Sequence, residues 1–518
     1  MLNFKKAAAS LLISGALPAF AAEDMNIVLF MVDDMGVNDT SVRFLRDGSP
    51  LNGYYHTPNM ERLAEKGVRF TRAYAHPVSS PSRVSLMTGV NPARHKVTNW
   101  TLEPDTPTDT FPRRSKTAPQ PWNWNGITPN AAADAVQSNL FEATCFPEIL
   151  RQNGYKTIHV GKAHWGAVGT TAADPLNLGF DVNIGGCAAG GLASYTIDDS
   201  SQLYAFNAAG DYPFPSLNEY AEADTGFHIT DAITAAAKSE IDKAVEEDRP
   251  FYLYVSHYAV HTPHQSDKRF SDDYKGSRSA YATLVAGMDR SLGELMDHLE
   301  AKNLSDKTIV IFMADNGGHH STGNEPLRGS KGALFEGGIR EPLIVCWPGV
   351  TDAYAGGVND SPVIIEDFYP TILEMAGVGT VPAEIKQGRL DGVSFVSAIK
   401  TGSTRNADRS LVFHYPNWWG EEASASRKMR VPVGRPASAL IKDGKKIIHF
   451  YETGETRLYD LDADETEKRE VEDDALKAEL ASELTAFLKN SGASMVYDKK
   501  TQTIRWPDGS VEELPEKP

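Results

Sequence analysis

Cysteine is nearly missing from this chain. Cys145, Cys187 and Cys346 are the only three in 518 residues, odd in number and widely spaced. No C-x-x-C pair occurs, which argues against a disulfide framework or a zinc ribbon. Buried free thiols are expected, with a single bridge as the alternative in an oxidising compartment. Long apolar runs are lacking too: beyond the first twenty or so residues none is long enough for a membrane helix. Positive charge is scarce, with 51 Lys and Arg against 69 Asp and Glu, a net charge of −18. Nucleic acid and anionic membranes are therefore poor partners, since both need a cationic footprint. Any anion site must be built locally. Internal repeats and low-complexity segments are also lacking. At 41% hydrophobic and 23% charged, the composition fits one large domain with an appendage, or two domains.

What is present begins with a leader. Lys5 and Lys6 precede an apolar run over 7–17, and Ala19-Phe20-Ala21 fits a small-x-small cleavage pattern. A signal peptide over 1–21, cut after Ala21, is expected, with an uncleaved anchor as the alternative. The mature chain would then carry −20 and be exported, to the periplasm of a Gram-negative bacterium, the medium or the cell surface.

Four apolar runs end abruptly in polar residues. They are 27–32 before Asp33-Asp34, 156–160 before Gly161-Lys162, 250–256 before His257, and 308–313 before Ala314-Asp315-Asn316. Such runs read as buried parallel strands with chemistry at their tips. Helical patterns lie between them, over 57–65 with a Thr cap and Pro58 behind it, 229–247 and 279–302. The alternation predicts an α/β sandwich with a large, mostly parallel central sheet, whose ligands sit beyond the strands' carboxyl ends. Residues 101–140 and 183–225 read as long surface loops, the former as a candidate substrate wall. From about 405 the texture changes to short strands at 411–415, 437–441, 445–450 and 457–460, then a helix over 474–489. The expected division is a catalytic domain over 22–404 and a smaller C-terminal α+β subdomain with an antiparallel sheet over 405–518.

Asp33, Asp34, Asp315 and Asn316 form an all-oxygen donor set suited to calcium or magnesium rather than zinc. Either pair alone would read as a turn; their placement at two strand tips points to a metal. The stretch SSPSRVSLMTG at 79–89 reads as a loop entering a helix. That places Ser79 near a helix N-terminus, where an anion is favoured, with a simple Ser cap as the alternative.

At this stretch the chain resembles the formylglycine-dependent sulfatases of the alkaline phosphatase superfamily, in its serine-type form. Ser79, Pro81, Ser82, Arg83, Leu86, Thr88 and Gly89 fill every fixed place of their signature. EGGIREPLIV at 336–345 and DFYPTILEMAGV at 367–378 extend the likeness. The resemblance implies that a radical, oxygen-independent maturase oxidises Ser79 to formylglycine. Its hydrate has two hydroxyls: one attacks sulfur, and the other lets the aldehyde reform and expel sulfate. It implies one calcium ion held by Asp33, Asp34, Asp315, Asn316 and the modified Ser79. It implies that Arg83 orients the hydroxyls and that Lys162 and Lys331 bind sulfate oxygens. His164, in Gly161-Lys-Ala-His-Trp-Gly166, would assist release. His261, in His261-Thr-Pro263, would be the general acid for the leaving oxygen. Ala163 and Trp165 depart from the usual residues and alter the pocket wall.

His257 and His264 read equally as packing or substrate contacts. His76, His95, His319 and His320 read as structural or outer-pocket residues. Trp100, Trp165, Trp418 and Trp419 are candidates for stacking on sugar rings, with core packing as the alternative. ARHKVTNWTLEP, with NWNG downstream, resembles bacterial enzymes that remove 4-O-sulfate from galactose-type sugars. The implied substrate is a sulfated oligo- or polysaccharide. Two other readings stay open: a phosphodiesterase or phosphonate hydrolase of the same superfamily, and a silent glycan-binding protein with unmodified Ser79. A serine esterase lacks the G-x-S-x-G elbow.

Overall fold

A computed structural model describes residues 25–109, 116–119, 124–136, 138–196, 204–205, 212–214, 216–220, 228–319, 324–378, 384–401, 409–424 and 429–514. The expected leader over 1–21 lies outside these residues, as does His320.

Nine strands form the central sheet: β1 Asn26–Val32, β2 Val68–Tyr74, β3 Lys156–Gly161, β4 Val182–Ile184, β5 Phe251–Ser256, β6 Thr308–Ala314, β7 Arg340–Cys346, β8 Gly357–Asn359 and β9 Val363–Ile364. Their spatial order is β8-β2-β7-β6-β1-β5-β3-β4, with β9 also on β2. Only β7 runs antiparallel to its neighbours β6 and β2. The four strands expected from their apolar runs lie side by side as β6-β1-β5-β3, so their polar tips converge on one edge. Each is buried along its whole length, which is why it reads as a continuous apolar run.

β1 shows how both faces are covered. Ile27, Leu29 and Met31 join one apolar cluster, while Val28, Phe30 and Val32 join the other. The second cluster is closed by α1 (Pro58–Lys66), α5 (Ile229–Glu246, preceded by the shorter helices named below) and α6 (Ser279–Ala301). The first takes in α2 (Ser79–Thr88) and residues from the C-terminal sheet, among them Phe413, Ala439 and Ile448. Among the described residues the remaining α-helices before α5 are α3 (Pro92–His95) and α4 (Phe146–Gln152).

Thr57 corrects one expectation. It precedes α1 but makes no cap bond; its hydroxyl meets Thr40 at 2.7 Å and Ser41 at 2.8 Å. The α1 amides of Asn59 and Met60 instead donate to the Asp289 carboxylate of α6, at 3.1 and 2.8 Å.

After residue 409 the chain forms an antiparallel sheet of β10 Leu411–Tyr415, then β13 Ala437–Lys442, β14 Lys445–Phe450 and β15 Glu455–Asp460. Between β10 and β13 lie β11 Trp419–Ser424 and β12 Met429–Gly434, paired antiparallel as a hairpin. A helix over Asp474–Ser491 backs the sheet. A further small sheet joins Val496–Asp498 to Thr117–Pro119 from the expected surface loop. All three cysteines are free thiols, Cys145 and Cys187 buried and Cys346 half-buried. Among the described residues no helix is long and apolar enough to cross a membrane.

Candidate active site

α2 begins where β2 leaves the sheet, and Val78 rather than a serine occupies its N-cap. Ser79 is the first helical residue, so its hydroxyl is not spent on capping. Ser79 Oγ lies 3.1 Å from Asp33 Oδ1, 3.0 Å from Asn316 Oδ1 and 3.2 Å from Lys162 Nζ. Arg83 is one turn on, on the same helix face. Its Nε donates to Asp315 Oδ2 at 2.8 Å, and one Nη donates to Ser256 Oγ at 2.6 Å and the Lys162 carbonyl at 3.2 Å. The guanidinium is buried, and Asp315, overcoming that burial, holds it firmly charged.

The strand tips supply the rest. Asp33 and Asp34 follow directly on β1, and Asp315 and Asn316 on β6. Lys162, after β3, donates to Asp33 Oδ2 at 2.6 Å. Lys331, from the loop before β7, donates to Asp34 Oδ1 at 2.6 Å. Asn316 Nδ2 donates to the same oxygen at 2.8 Å. Burial pushes Asp33 up to about 7 and Lys162 down, so both members of that pair are driven toward neutrality against their mutual attraction. Burial acts on Asp34 as well, but Lys331, His261 and Lys162 hold it far below the usual carboxylate range. Asp34 and His164 both take left-handed backbone conformations, φ +61° each, a strain that stiff surroundings must impose.

The residues fit a hard cation. Ligand oxygens of Asp33, Asp34 and Asp315 all lie within 4.8 Å of one another, and all three side chains are buried. Asp34 Oδ2 is buried without a hydrogen-bond partner, an open acceptor in a cluster of oxygens.

The two histidines are set differently. His164 Nε2 lies 2.9 Å from the Thr101 carbonyl and 3.1 Å from Ser80 Oγ. A carbonyl only accepts, so Nε2 carries the proton and Nδ1, buried and without a partner, is a free acceptor. Burial, with Lys162 and Arg83 adding to it, holds His164 well below its ordinary value, so it is a neutral base. Gly190 permits this placement: a Cβ there would stand 2.1 Å from the imidazole. His261 turns Nδ1 to the Thr262 carbonyl at 2.7 Å and Nε2 towards Asp34 Oδ2 at 3.7 Å. Burial pushes its pKa down to about 3, with Asp34 opposing and Lys331 adding to the fall. A fifth of the side chain stays open to the pocket.

Above Ser79 lies a cavity of about 260 Å³, lined by Asp34, His164, His261 and Lys331 and flanked by Trp100 and Trp419. Thus the ten residues singled out in the sequence sit around one point. Four candidates for substrate contact divide. Trp100 and Trp419 line the cavity, whereas Trp165 and Trp418 are fully buried. Trp165 stacks on Phe180 at 5.7 Å, the core-packing alternative, and does not line the cavity, which corrects its expected place in the pocket wall. His319 lines the cavity. His257 is buried against Ser291 at 3.0 Å, His76 against Glu366 at 3.0 Å and His95 against Ser85 at 3.1 Å. Sequence reasoning missed Ser80, Thr101 and Ser256; the glycine clusters of 183–225 were the only signal for Gly190.

A mostly parallel sheet with a buried acidic cluster and a serine-bearing helix at its strand tips is the arrangement of the alkaline phosphatase superfamily of ester hydrolases. Within it the chain belongs to the sulfatase family, whose family model (described as Sulfatase) matches residues 25–378. A second family, N-sulphoglucosamine sulphohydrolase, C-terminal, matches residues 330–493. A sulfatase of Formosa agariphila is 28% identical over 555 residues, covering 94% of this chain and 93% of its own. N-acetylgalactosamine-6-sulfatase of Mus musculus is 29% identical over 414 residues, covering 78% and 71%. The crystal structure of Ps i-CgsB in complex with k-i-k-neocarrahexaose superposes with a TM-score of 0.68 at 26% identity, covering 90% of this chain and 94% of that one. The protein is a sulfuric ester hydrolase.

Proposed function

We propose that the protein hydrolyses O-sulfate esters on oligo- or polysaccharides, with 4-O-sulfated galactose-type sugars as the candidate substrate. It would use formylglycine made from Ser79 by a maturase, and one calcium ion. The observation that carries this reading is Ser79 Oγ, within 3.2 Å of Asp33, Asn316 and Lys162, at the floor of a cavity flanked by Trp100 and Trp419. The hexasaccharide bound by Ps i-CgsB supports a carbohydrate substrate.

Asp33, Asp34, Asp315 and Asn316 would hold the calcium, which supplies Lewis-acid charge against a sulfate oxygen and acidifies the nucleophile. Formylglycine supplies, as its hydrate, an attacking hydroxyl and a second one for release. Lys331 lines the cavity and Lys162 lies 3.2 Å from Ser79 Oγ beneath it, and the two bind the remaining sulfate oxygens as negative charge grows on them. Arg83 is pinned by Asp315 and Ser256, so it fixes the helix turn that carries residue 79. His164 Nδ1 accepts the proton of the second hydroxyl, because Nε2 is committed to the Thr101 carbonyl. His261 gives a proton to the leaving sugar oxygen. Its ring is neutral in the empty pocket, and an incoming sulfate monoanion beside it favours the protonated form. Trp100 and Trp419 present apolar faces to the sugar.

The protein would work after loss of residues 1–21, outside the cytoplasm. Residues 22–404 carry the catalytic groups, and 405–518 contribute Trp419. Mass spectrometry of the tryptic peptide containing Ser79, from native-host protein, tests the mechanism. Conversion lowers its mass by about 2 Da, the two hydrogens lost in oxidation. Unmodified serine together with strong sulfatase turnover sinks it. Turnover of phosphodiesters above sulfate esters would move the activity to the phosphodiesterase reading.

A further inference from the structure

The turn Lys331-Gly332-Ala333 separates two cavities. Lys331 lines the one above Ser79, and Ala333 lines a second of about 300 Å³. The β11–β12 hairpin packs directly on this turn. Gly434 backs so closely on Gly332 that a Cβ on it would lie 1.9 Å from the Gly332 carbonyl oxygen. Trp419, paired with Gly434 across the β11–β12 hairpin, faces the first cavity, while the next residue, Arg435, faces the second.

The second cavity is basic in a chain whose net charge is −18. Arg328, Arg435 and Arg457 line it, with Glu455 as the carboxylate among them. Phe335 and Phe450 form its aromatic part, their centroids 6.1 Å apart. The guanidinium of Arg328 lies 4.1 Å over the Phe335 ring and that of Arg457 lies 5.5 Å over Phe450. Arg457 is paired with Glu455 at 2.9 Å. Arg435 is exposed and has no ion-pair or hydrogen-bond partner among the described residues. A guanidinium presents five donors in a planar fork, matched to sulfate and carboxylate alike.

We propose that this cavity is a second anion subsite. It takes a sulfate or carboxylate group on a sugar neighbouring the one whose sulfate ester enters the Ser79 cavity. The inference rests on the reading of the protein as a carbohydrate sulfatase, and it makes the substrate a glycan with more than one anionic group. Arg435 is the anchor, held at the partition between the two cavities. Phe335 and Phe450 keep the neighbouring guanidiniums in place.

The test is calorimetric binding to the full chain carrying Ser79→Ala, which removes turnover from the readout. The probes are a sulfated galactan hexasaccharide, a galacturonate hexasaccharide and a neutral galactan hexasaccharide. At least one anionic probe should bind, and adding Arg435→Ala should weaken it about tenfold, the scale of one charged hydrogen-bonded contact. Arg435→Lys should recover part of that loss, and the neutral probe should be indifferent to residue 435. A loss confined to the sulfated probe assigns the subsite to sulfate, and one confined to the galacturonate assigns it to carboxylate. Undiminished affinity in both Arg435→Ala and Arg457→Ala overturns the proposal, as does failure of both anionic probes to bind. Turnover of 4-nitrophenyl sulfate by the unsubstituted protein is measured alongside. No sulfate-ester turnover with Arg435-dependent binding would sink the enzymatic reading and leave the subsite standing. Turnover with binding indifferent to both Arg435 and Arg457 would do the reverse.

Discussion

Arg83 and Asp315 are joined at 2.8 Å through Nε and Oδ2, and neither side chain is exposed at all. Removing one member strands the other charge in the interior. Arg83→Ala should therefore cost about 3–5 kcal/mol of stability, besides abolishing turnover. Urea unfolding of metal-free protein measures it. A loss under about 1 kcal/mol would mean that the pair is not the buried contact described.

Calcium should bind the folded chain and not the unfolded one. At a hundred times its dissociation constant it adds about 2.7 kcal/mol. Chelation should lower the melting temperature, and calcium should restore it together with activity. Asp34→Asn should erase the calcium-dependent shift. A melting temperature indifferent to calcium in the native chain would remove the ion from the site.

Trp165 and Trp419 should fail in opposite ways when cut to alanine. Trp165 is core, so its loss should cost about 3–5 kcal/mol of stability. Trp419 lies against the cavity, with the Lys331 ammonium 5.2 Å from its ring. Its loss should raise KM for a sulfated oligosaccharide roughly tenfold, about the worth of one aromatic contact. Paired denaturation and steady-state measurements separate the two. Equal effects on stability would undo the distinction.

Acid should destabilise the fold through buried neutral histidines. Burial pushes His257 down to about 3 and His228 and His414 to about 4, below the 6.5 of an unfolded chain. Between those values the unfolded state binds protons that the folded state refuses. Their contribution is thus complete above about pH 6.5 and is lost as pH falls toward 4. Each contributes at most about 1.4 kcal/mol per pH unit in that window. His414 is held by Ser438 at 2.7 Å and the Ser494 carbonyl at 2.9 Å. Unfolding free energies at pH 7.5 and 5 should differ less in His414→Gln than in the parent. An unchanged difference would assign acid sensitivity elsewhere.

The central strands were legible because burial on both faces writes an unbroken apolar run. The antiparallel C-terminal strands were legible from their short apolar segments between turns. β7 was not read as a strand, although its segment was singled out by resemblance. It opens with Arg340, Glu341 and Pro342, and its register shifts between Glu341 and Leu343, so its polar start hides a strand buried over all but its last residue. The site residues were found because they stand at strand tips or inside a motif. Ser80 and Thr101 were missed because a hydroxyl and a backbone carbonyl under a histidine leave no pattern in sequence. Whether a tryptophan packs inside or faces a pocket is decided by the tertiary fold, so Trp165 and Trp419 read alike.

Thr117 is paired with Asp498, 381 residues further along the chain. Its three-residue strand is therefore finished by a segment made much later. At ordinary synthesis rates the two segments leave the ribosome about 20–80 s apart. The segment that flanks the loop bearing Trp100 thus waits for residues 496–498 to be clamped. A chain stopped before residue 496 would keep every candidate site residue and still leave that segment an open edge, ready to pair with another molecule. Emergence of residues 496–498 is, for this fold, a late checkpoint on the surroundings of the pocket.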